Sequence, residues 1–172
     1  DSLFRRERPQ KGRQRQFYQF GAEAIGSPHP EQDTEIIAMA YNIYKTFDIQ
    51  EMNVRLNSIG SKEIRPIYLD KLRLSLMKET NELCHSCQAR LEKNALRVFD
   101  CKNTECQKLL DEDAPLIFDY ISEDDRKHFD TACLILDNMG IPYFHDKKLV
   151  RGLDYYSHTT FEITSSALGA QD

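Results

Sequence analysis

A chain of 172 residues, with 40% hydrophobic and 30% charged side chains and a net charge of -5, is long enough for one ordinary domain or one and a half small ones. Its apolar runs are too short to span a bilayer and its basic N-terminus lacks the apolar core of a signal peptide, so we expect a cytoplasmic protein with no membrane partner. Five cysteines, an odd number, exclude a complete disulfide framework.

The N-terminal segment combines two predicted strands with a basic loop between them. We expect strands over residues 3–7 and 14–25, because apolar and polar side chains alternate there. Residues 5–15 hold six Lys or Arg against the single acid Glu7, a local charge of +5 that leaves -10 for the rest of the chain. A basic loop on an acidic body predicts an anion site, although a solvated hairpin turn remains the alternative.

The second predicted strand has two different faces. Its apolar set, which we expect to lie in the core, is Tyr18, Phe20, Ala22 and Ala24. Its other set offers an aromatic ring, an amide and a carboxylate: Phe17, Gln19 and Glu23. Gly21 would leave room for a small ligand against the backbone. The alternative is an ordinary hydrogen-bonded hairpin pair.

The next 120 residues predict a helix, a strand and then a helical block. An apolar stripe from Ile36 to Phe47 predicts a helix, and residues 52–59 alternate as a half-buried strand. A second helix carries the spaced face Leu69, Leu72, Leu76 and Leu83, with Pro66 in its first turn. A further helix over 123–139 has a capping-box pair, Ser122 and Asp125, and ends at Gly140. Strand character returns at 142–144 and 149–164.

Four of the five cysteines are paired in the sequence. Two residues separate Cys84 from Cys87, thirteen residues follow, and four residues separate Cys101 from Cys106. Zinc prefers four thiolate or imidazole ligands in a tetrahedron, so this layout predicts a structural Zn²⁺ knuckle. Four scattered thiols are the alternative. Cys133, on the core face of its helix, is expected to pack.

Two long motifs then resemble one family. FRRERPQKGRQRQF (residues 4–17) looks like motif 2 of the class II aminoacyl-tRNA synthetases, in the form seen in histidyl-tRNA synthetases. LVRGLDYYSHTTFEI (149–163) resembles the histidine-recognition signature of that family. VRLNSIGS (54–61) and LRVFDCKN (96–103) agree as well, so the resemblance covers nearly the whole chain.

The resemblance implies an α+β fold, a partial class II synthetase antiparallel sheet with a mostly helical insertion domain. Residues 1–60 and 145–172 would form a partial catalytic domain with the two motif strands side by side, and 61–144 the insertion domain with the Cys-rich patch. The implied function is histidine–tRNA ligase, which joins histidine to ATP as an adenylate and transfers it to the 3′ end of tRNA(His). The implied partners are histidine, ATP with Mg²⁺, tRNA(His) and a second copy of the full-length protein.

The resemblance also assigns residues to roles. Arg5 and Arg151 would hold the α-phosphate from opposite sides, which suits the bidentate geometry of a guanidinium. The ATP site would add an adenine or ribose contact, a loop residue over the nucleotide and an aromatic that stacks on adenine: Glu7, Arg13 and Phe17. The histidine site would include Arg151 and would add a contact to the α-amino group, one to the imidazole and two pocket residues: Gln19, Glu23, Tyr155 and Tyr156.

Two local consequences follow from these roles. Arg151 and Tyr156 are five residues apart, so both can serve one site only if residues 152–154 form a turn or bulge. His158 has no catalytic role in the family pattern and reads as a wall residue.

Motifs 1 and 3 of the class have no counterpart in these 172 residues, so we expect the chain to be part of a catalytic domain and inactive by itself. Two other functions stay open. One is a catalytically silent paralogue that binds histidine, such as the ATP phosphoribosyltransferase regulatory subunit. The other is a zinc-containing RNA-binding module.

Overall fold

The structure, a computed structural model, describes residues 2–6, 8–9, 13–151 and 156–168. Helices and strands both contribute, as the predicted α+β class requires. None of the helices in these ranges is long and apolar enough to cross a membrane. In chain order the elements are β1 (Ser2–Phe4), β2 (Gln16–Tyr18), α1 (Pro30–Thr46), β3 (Met52–Ser58), α2 (Ile64–Met77), α3 (His85–Lys93), α4 (Thr104–Asp113), α5 (Glu123–Asn138), β4 (Tyr143–His145) and β5 (Thr159–Ser165).

A three-stranded sheet in the order β4-β3-β5 forms the centre of the fold. β5 runs antiparallel to β3, from the Met52↔Ser165 pair to the Ser58↔Thr159 pair, whereas β4 runs parallel to β3. The predicted partial antiparallel sheet is therefore found at the β3–β5 pair, whereas the parallel β3–β4 pair departs from the prediction. The chain passes from β3 to β4 through the helical block, and such a long crossover can return a strand in the same direction.

One face of this sheet is apolar and packs on helices α1 and α5. Val54 and Leu56 of β3 are fully buried there, with Ile37 of α1 and Phe129 and Leu136 of α5. A second core lies among α2, α3, α4 and the 3₁₀ segment Ala95–Asp100. The opposite face of the sheet carries the polar residues of the alternating strands.

The predicted boundaries of α5 and the predicted start of α2 are confirmed, whereas α2 ends at Met77, so the expected helical position of Leu83 is wrong. Ser122 Oγ accepts a hydrogen bond from the Asp125 backbone N–H at 3.0 Å, and Asp125 Oδ2 accepts from the Ser122 backbone N–H at 3.2 Å. Gly140 follows the helix with φ +66°, which costs glycine little. Pro66 lies in the first turn of α2, where a missing N–H leaves no helical bond unmade.

The N-terminal hairpin differs most from its prediction. β1 and β2 pair only with each other, and β2 ends at Tyr18 instead of continuing to residue 25. Tyr18 is 79% and Phe20 78% exposed, so the expected core face is wrong, as is the side-by-side arrangement with the second motif. An alternating pattern identifies residues that share one face of a strand, but it does not show whether another element covers that face. Within the described ranges, no element covers Tyr18 and Phe20. Similarly, β5 begins at Thr159 and not at residue 149.

Candidate active site and cysteine cluster

Arg5 is held by its own hairpin. Its backbone N–H donates to the Arg15 carbonyl at 2.9 Å, and its Nε donates to the Gln14 carbonyl at 2.9 Å. The guanidinium carbon lies 4.1 Å from the centre of the Phe17 ring, a cation–π distance. Two of the four residues predicted to contact ATP from this hairpin, Arg5 and Phe17, are therefore stacked on each other.

The predicted histidine contacts of the hairpin lie in exposed chain beyond β2. Gln19 and Glu23 are exposed and belong to no strand, and a Cβ on Gly21 would meet nothing within 4 Å. The expected gap at Gly21 is thus open space. Arg13, in the basic loop, is exposed as well. Glu7 falls outside the described residues.

The polar face of the three-stranded sheet carries a network of two arginines and two acids. Glu162 of β5 lies opposite Arg55 of β3. Arg55 Nη1 donates to Glu162 Oε2 at 2.9 Å, and Arg151 Nη2 donates to Glu162 Oε1 at 2.8 Å. Arg55 Nε donates to Asp146 Oδ2 at 2.8 Å. Both acids are partly shielded from solvent, with side-chain exposures of 32% for Glu162 and 16% for Asp146.

Asn57 fixes the segment that leads from β4 to Arg151. Its Nδ2 donates to the carbonyl oxygens of Lys147 at 3.1 Å and Leu149 at 2.9 Å. Its Oδ1 lies 3.1 Å from His145 Nε2. Burial lowers the pKa of His145, so a neutral ring that donates from Nε2 completes the set. The fully buried Asn57 therefore has three partners.

Tyr156 is half-buried against the core that contains the cysteines. Its carbonyl accepts a hydrogen bond from Nη2 of Arg65 in α2. Residues 152–155, which include Tyr155 and the expected turn at 152–154, lie outside the described residues. His158 has φ +57°, and its Nδ1 lies 3.2 Å from Asp125 Oδ1.

Sequence reasoning did not single out Arg55, Asp146 or Glu162. A signal was present, since Arg55 and Glu162 occupy polar positions in half-buried strands, where charges usually need partners. The predicted residues themselves are divided between two separate sheets: Arg5 and Phe17 lie on the hairpin, and Arg151 contacts β5 of the other sheet.

The four paired cysteines come together. Their Sγ atoms all lie within 4.8 Å of one another, and those of Cys84 and Cys101 are 3.8 Å apart. Cys84 caps α3, Cys87 lies in the first turn of α3, and Cys106 lies in the first turn of α4. Two backbone N–H groups donate to the sulfurs, Cys84 N to Cys106 at 3.2 Å and Asn103 N to Cys101 at 3.4 Å.

The environments of these thiols differ. A hydrogen bond from the backbone of Cys87 lowers the pKa of Cys84 to about 7, whereas burial raises the pKa of Cys87 and of Cys106. Cys87 and Cys106 are at most 1% exposed. Cys133, a residue of α5, packs against the other core.

Comparison with known proteins agrees with the two motifs. The family model described as histidyl-tRNA synthetase matches residues 1–171. The histidine–tRNA ligase of Halothermothrix orenii is 49% identical over 170 residues, which are 99% of this chain and 40% of that protein. The histidine–tRNA ligase of a Geobacillus species is 47% identical over 167 residues, 97% of this chain and 39% of that protein.

A solved structure gives the same result. The crystal structure of apo S. aureus histidyl-tRNA synthetase superposes with a TM-score of 0.69 at 36% identity, over 94% of this chain and 36% of that chain. The fold and the motifs are those of an aminoacyl-tRNA synthetase. The chain belongs to the histidyl-tRNA synthetase family. It spans about two fifths of the length of the curated relatives that it matches.

Proposed function

We propose that the protein that carries this chain is a histidine–tRNA ligase. It activates histidine with ATP and transfers the histidyl group to the 3′ end of tRNA(His). The observation that carries the proposal is the family match over residues 1–171, which includes the two arginines that the motifs assign to the α-phosphate, Arg5 and Arg151. A protein that only sensed histidine would have no need of two such groups.

The chemistry explains why two arginines are required. In the first step the histidine carboxylate attacks the α-phosphorus of ATP, the bond from that phosphorus to the bridging oxygen of the β-phosphate breaks, and pyrophosphate leaves. Both partners of the attack are negatively charged. Arg5 and Arg151 offset this repulsion from two sides and stabilise the charge that develops on the α-phosphate. The substrate carboxylate is already ionised near neutral pH, so no general base is needed from the protein.

Other residues bind the two substrates. Phe17 stacks on the adenine. The Arg5 guanidinium lies on the same ring, so the bound nucleotide either displaces it or stacks on the opposite face of the ring. Glu7 and Arg13 contact ATP, which enters with Mg²⁺ as the family uses it. Histidine is bound by Gln19 at its α-amino group and by Glu23 at its imidazole, with Tyr155 and Tyr156 in the pocket wall. Because 19–25 is exposed chain, this pocket forms only when that segment is covered.

The test is aminoacylation of tRNA(His) with labelled histidine by the protein at its full natural length. Arg5→Ala and Arg151→Ala should each abolish charging, whereas Arg97→Ala, an exposed arginine paired only with its neighbour Asp100, should charge normally. Normal charging by both active-site variants would refute the assignment of the two arginines. Histidine binding without any charging by the unmodified protein would favour the silent paralogue.

We further propose the partners that the family implies. The protein forms a homodimer and works in the cytoplasm, where tRNA is charged. The insertion region contacts the acceptor arm of tRNA(His) through its basic residues on α2 and α3. Arg73 Nε donates to the Leu91 carbonyl at 3.2 Å, which brings the middle of α2 next to the basic last turn of α3. The basic residues of the proposed contact are Lys71, Arg73, Arg90 and Lys93.

We also propose that Cys84, Cys87, Cys101 and Cys106 bind one structural Zn²⁺. A tetrahedral zinc with bonds of about 2.3 Å puts its sulfurs about 3.8 Å apart, the separation of the Cys84 and Cys101 Sγ atoms. The backbone N–H groups that donate to two of the sulfurs suit thiolates, as do the N-terminal turns of α3 and α4. Zinc would join α3, α4 and the segment between them in a small core.

Elemental analysis of protein purified without chelator tests the zinc site. We expect one zinc per chain, lost in Cys87→Ser and Cys101→Ser and retained in Cys133→Ser, which removes the cysteine outside the cluster. Thermal unfolding should show the same pattern, with a lower midpoint for the two cluster variants only. A metal-free protein of equal stability would contradict the proposal and leave four packed thiols.

A further inference from the structure

Glu162 is the only described carboxylate that contacts Arg151 by an ion pair, and it contacts a second arginine as well. Its two oxygens serve different guanidinium groups: Oε1 accepts from Arg151 at 2.8 Å and Oε2 accepts from Arg55 at 2.9 Å. Two fixed partners on one carboxylate restrict its rotation, because moving either oxygen breaks a charge-assisted hydrogen bond.

The far side of Arg55 is anchored too. Its Nε donates to Asp146 Oδ2 at 2.8 Å. Asp146 is itself fixed, since its backbone N–H donates to the Leu56 carbonyl at 2.8 Å and its Oδ1 accepts from the Lys148 backbone N–H at 3.0 Å. The chain of contacts thus runs from the backbone of β3 through Asp146, Arg55 and Glu162 to Arg151.

A carboxylate beside a phosphate-binding arginine repels the phosphate and so weakens phosphate binding, unless it also contributes to the arrangement of the site. The contact with Glu162 uses Nη2 of Arg151, and a guanidinium has five N–H donors in a rigid fork, so the remaining donors stay available. We propose that Glu162 is a positioning residue that sets the orientation of Arg151 toward the α-phosphate, with Arg55 and Asp146 as its support. This inference rests on the role of Arg151 in the proposed function.

Histidine-dependent exchange of pyrophosphate into ATP, measured on the protein at its full natural length, tests the inference. Glu162→Ala should lower kcat about 10- to 100-fold, the range expected when a catalytic group is displaced by about 1 Å. The KM for histidine should change less than about threefold, because Glu162 contacts no substrate. Glu162→Gln, which keeps the shape and one acceptor oxygen, should lose less and carries the test if the alanine variant does not fold. A matched glutamate variant, Glu105→Ala, removes an exposed residue of α4 and should leave kcat unchanged.

The double variant separates positioning from general structure. If Glu162 acts through Arg151, Glu162→Ala should cause no further loss in an Arg151→Ala background. Equal losses in both backgrounds, or normal kcat for Glu162→Ala and Glu162→Gln, would overturn the inference. Normal exchange by Arg151→Ala alone would instead refute the role of Arg151 in the proposed function, so the two failures can be distinguished.

Discussion

Replacing Asn57 by alanine should destabilise the protein more than its small volume suggests. Asn57 is fully buried and makes three hydrogen bonds, to the carbonyls of Lys147 and Leu149 and to the His145 ring. At about 1 kcal/mol for each bond, with a further cost for buried partners left unpaired, we expect a loss of about 3–5 kcal/mol in the free energy of unfolding. That is a large part of the stability of a typical domain, about 5–15 kcal/mol.

The assay is urea unfolding followed by circular dichroism, with the exposed Asn53→Ala of the same strand as a control. Asn53→Ala should cost less than about 1 kcal/mol. The midpoint should fall with an unchanged slope, since the surface exposed on unfolding stays the same. A loss for Asn57→Ala no larger than that of the control would refute the argument that this amide holds the segment leading to Arg151.

Three further outcomes are expected. Burial alone would raise the pKa of Asp125, but hydrogen bonds from Ser122 outweigh it and lower that pKa. The ionised Asp125 therefore stabilises the fold above the ordinary pKa of 3.8, and this stabilisation disappears as the pH falls through the lowered pKa. Asp125→Asn should therefore cost about 1–2 kcal/mol at pH 7, and progressively less as the pH falls below 3.8, in thermal melts; a pH-independent loss would contradict this. Reversing the charge at both Arg90 and Lys93 should raise the KM for tRNA(His) about tenfold without changing the rate of pyrophosphate exchange. The control variant Lys127→Glu on α5 should change neither quantity. An unaltered KM for tRNA(His) in the double variant would contradict the proposed tRNA contact. Glu23→Ala should cost about 2–4 kcal/mol in kcat/KM for histidine and less for ATP, and equal losses would overturn its assignment to the imidazole.

Local patterns predicted the helices and the central strand well. The capping box at Ser122, the glycine at 140 and the apolar stripes of α1 and α2 each depend on neighbours in the sequence, and the structure has those elements close to where they were expected. β3 was expected over 52–59 and is found at Met52–Ser58 for the same reason.

Pairing between distant segments was harder to predict. The parallel β3–β4 pair depends on where the helical block returns the chain, which no local pattern specifies. The end of strand β2 at Tyr18 was missed, because the alternation from Phe17 to Glu23 does not show whether another element covers Phe20. The Arg55–Glu162–Arg151 network likewise joins residues about a hundred positions apart, whereas the cysteines were found because their spacing is itself a local pattern.

Exchange of pyrophosphate into ATP, measured at the full natural length of the protein, tests the central claim most directly. It reports adenylate formation before tRNA is involved. We expect exchange that requires histidine, is not supported by other amino acids, and is lost in Arg151→Ala. Tight histidine binding with no exchange under any condition would contradict a ligase and indicate a protein that only senses histidine.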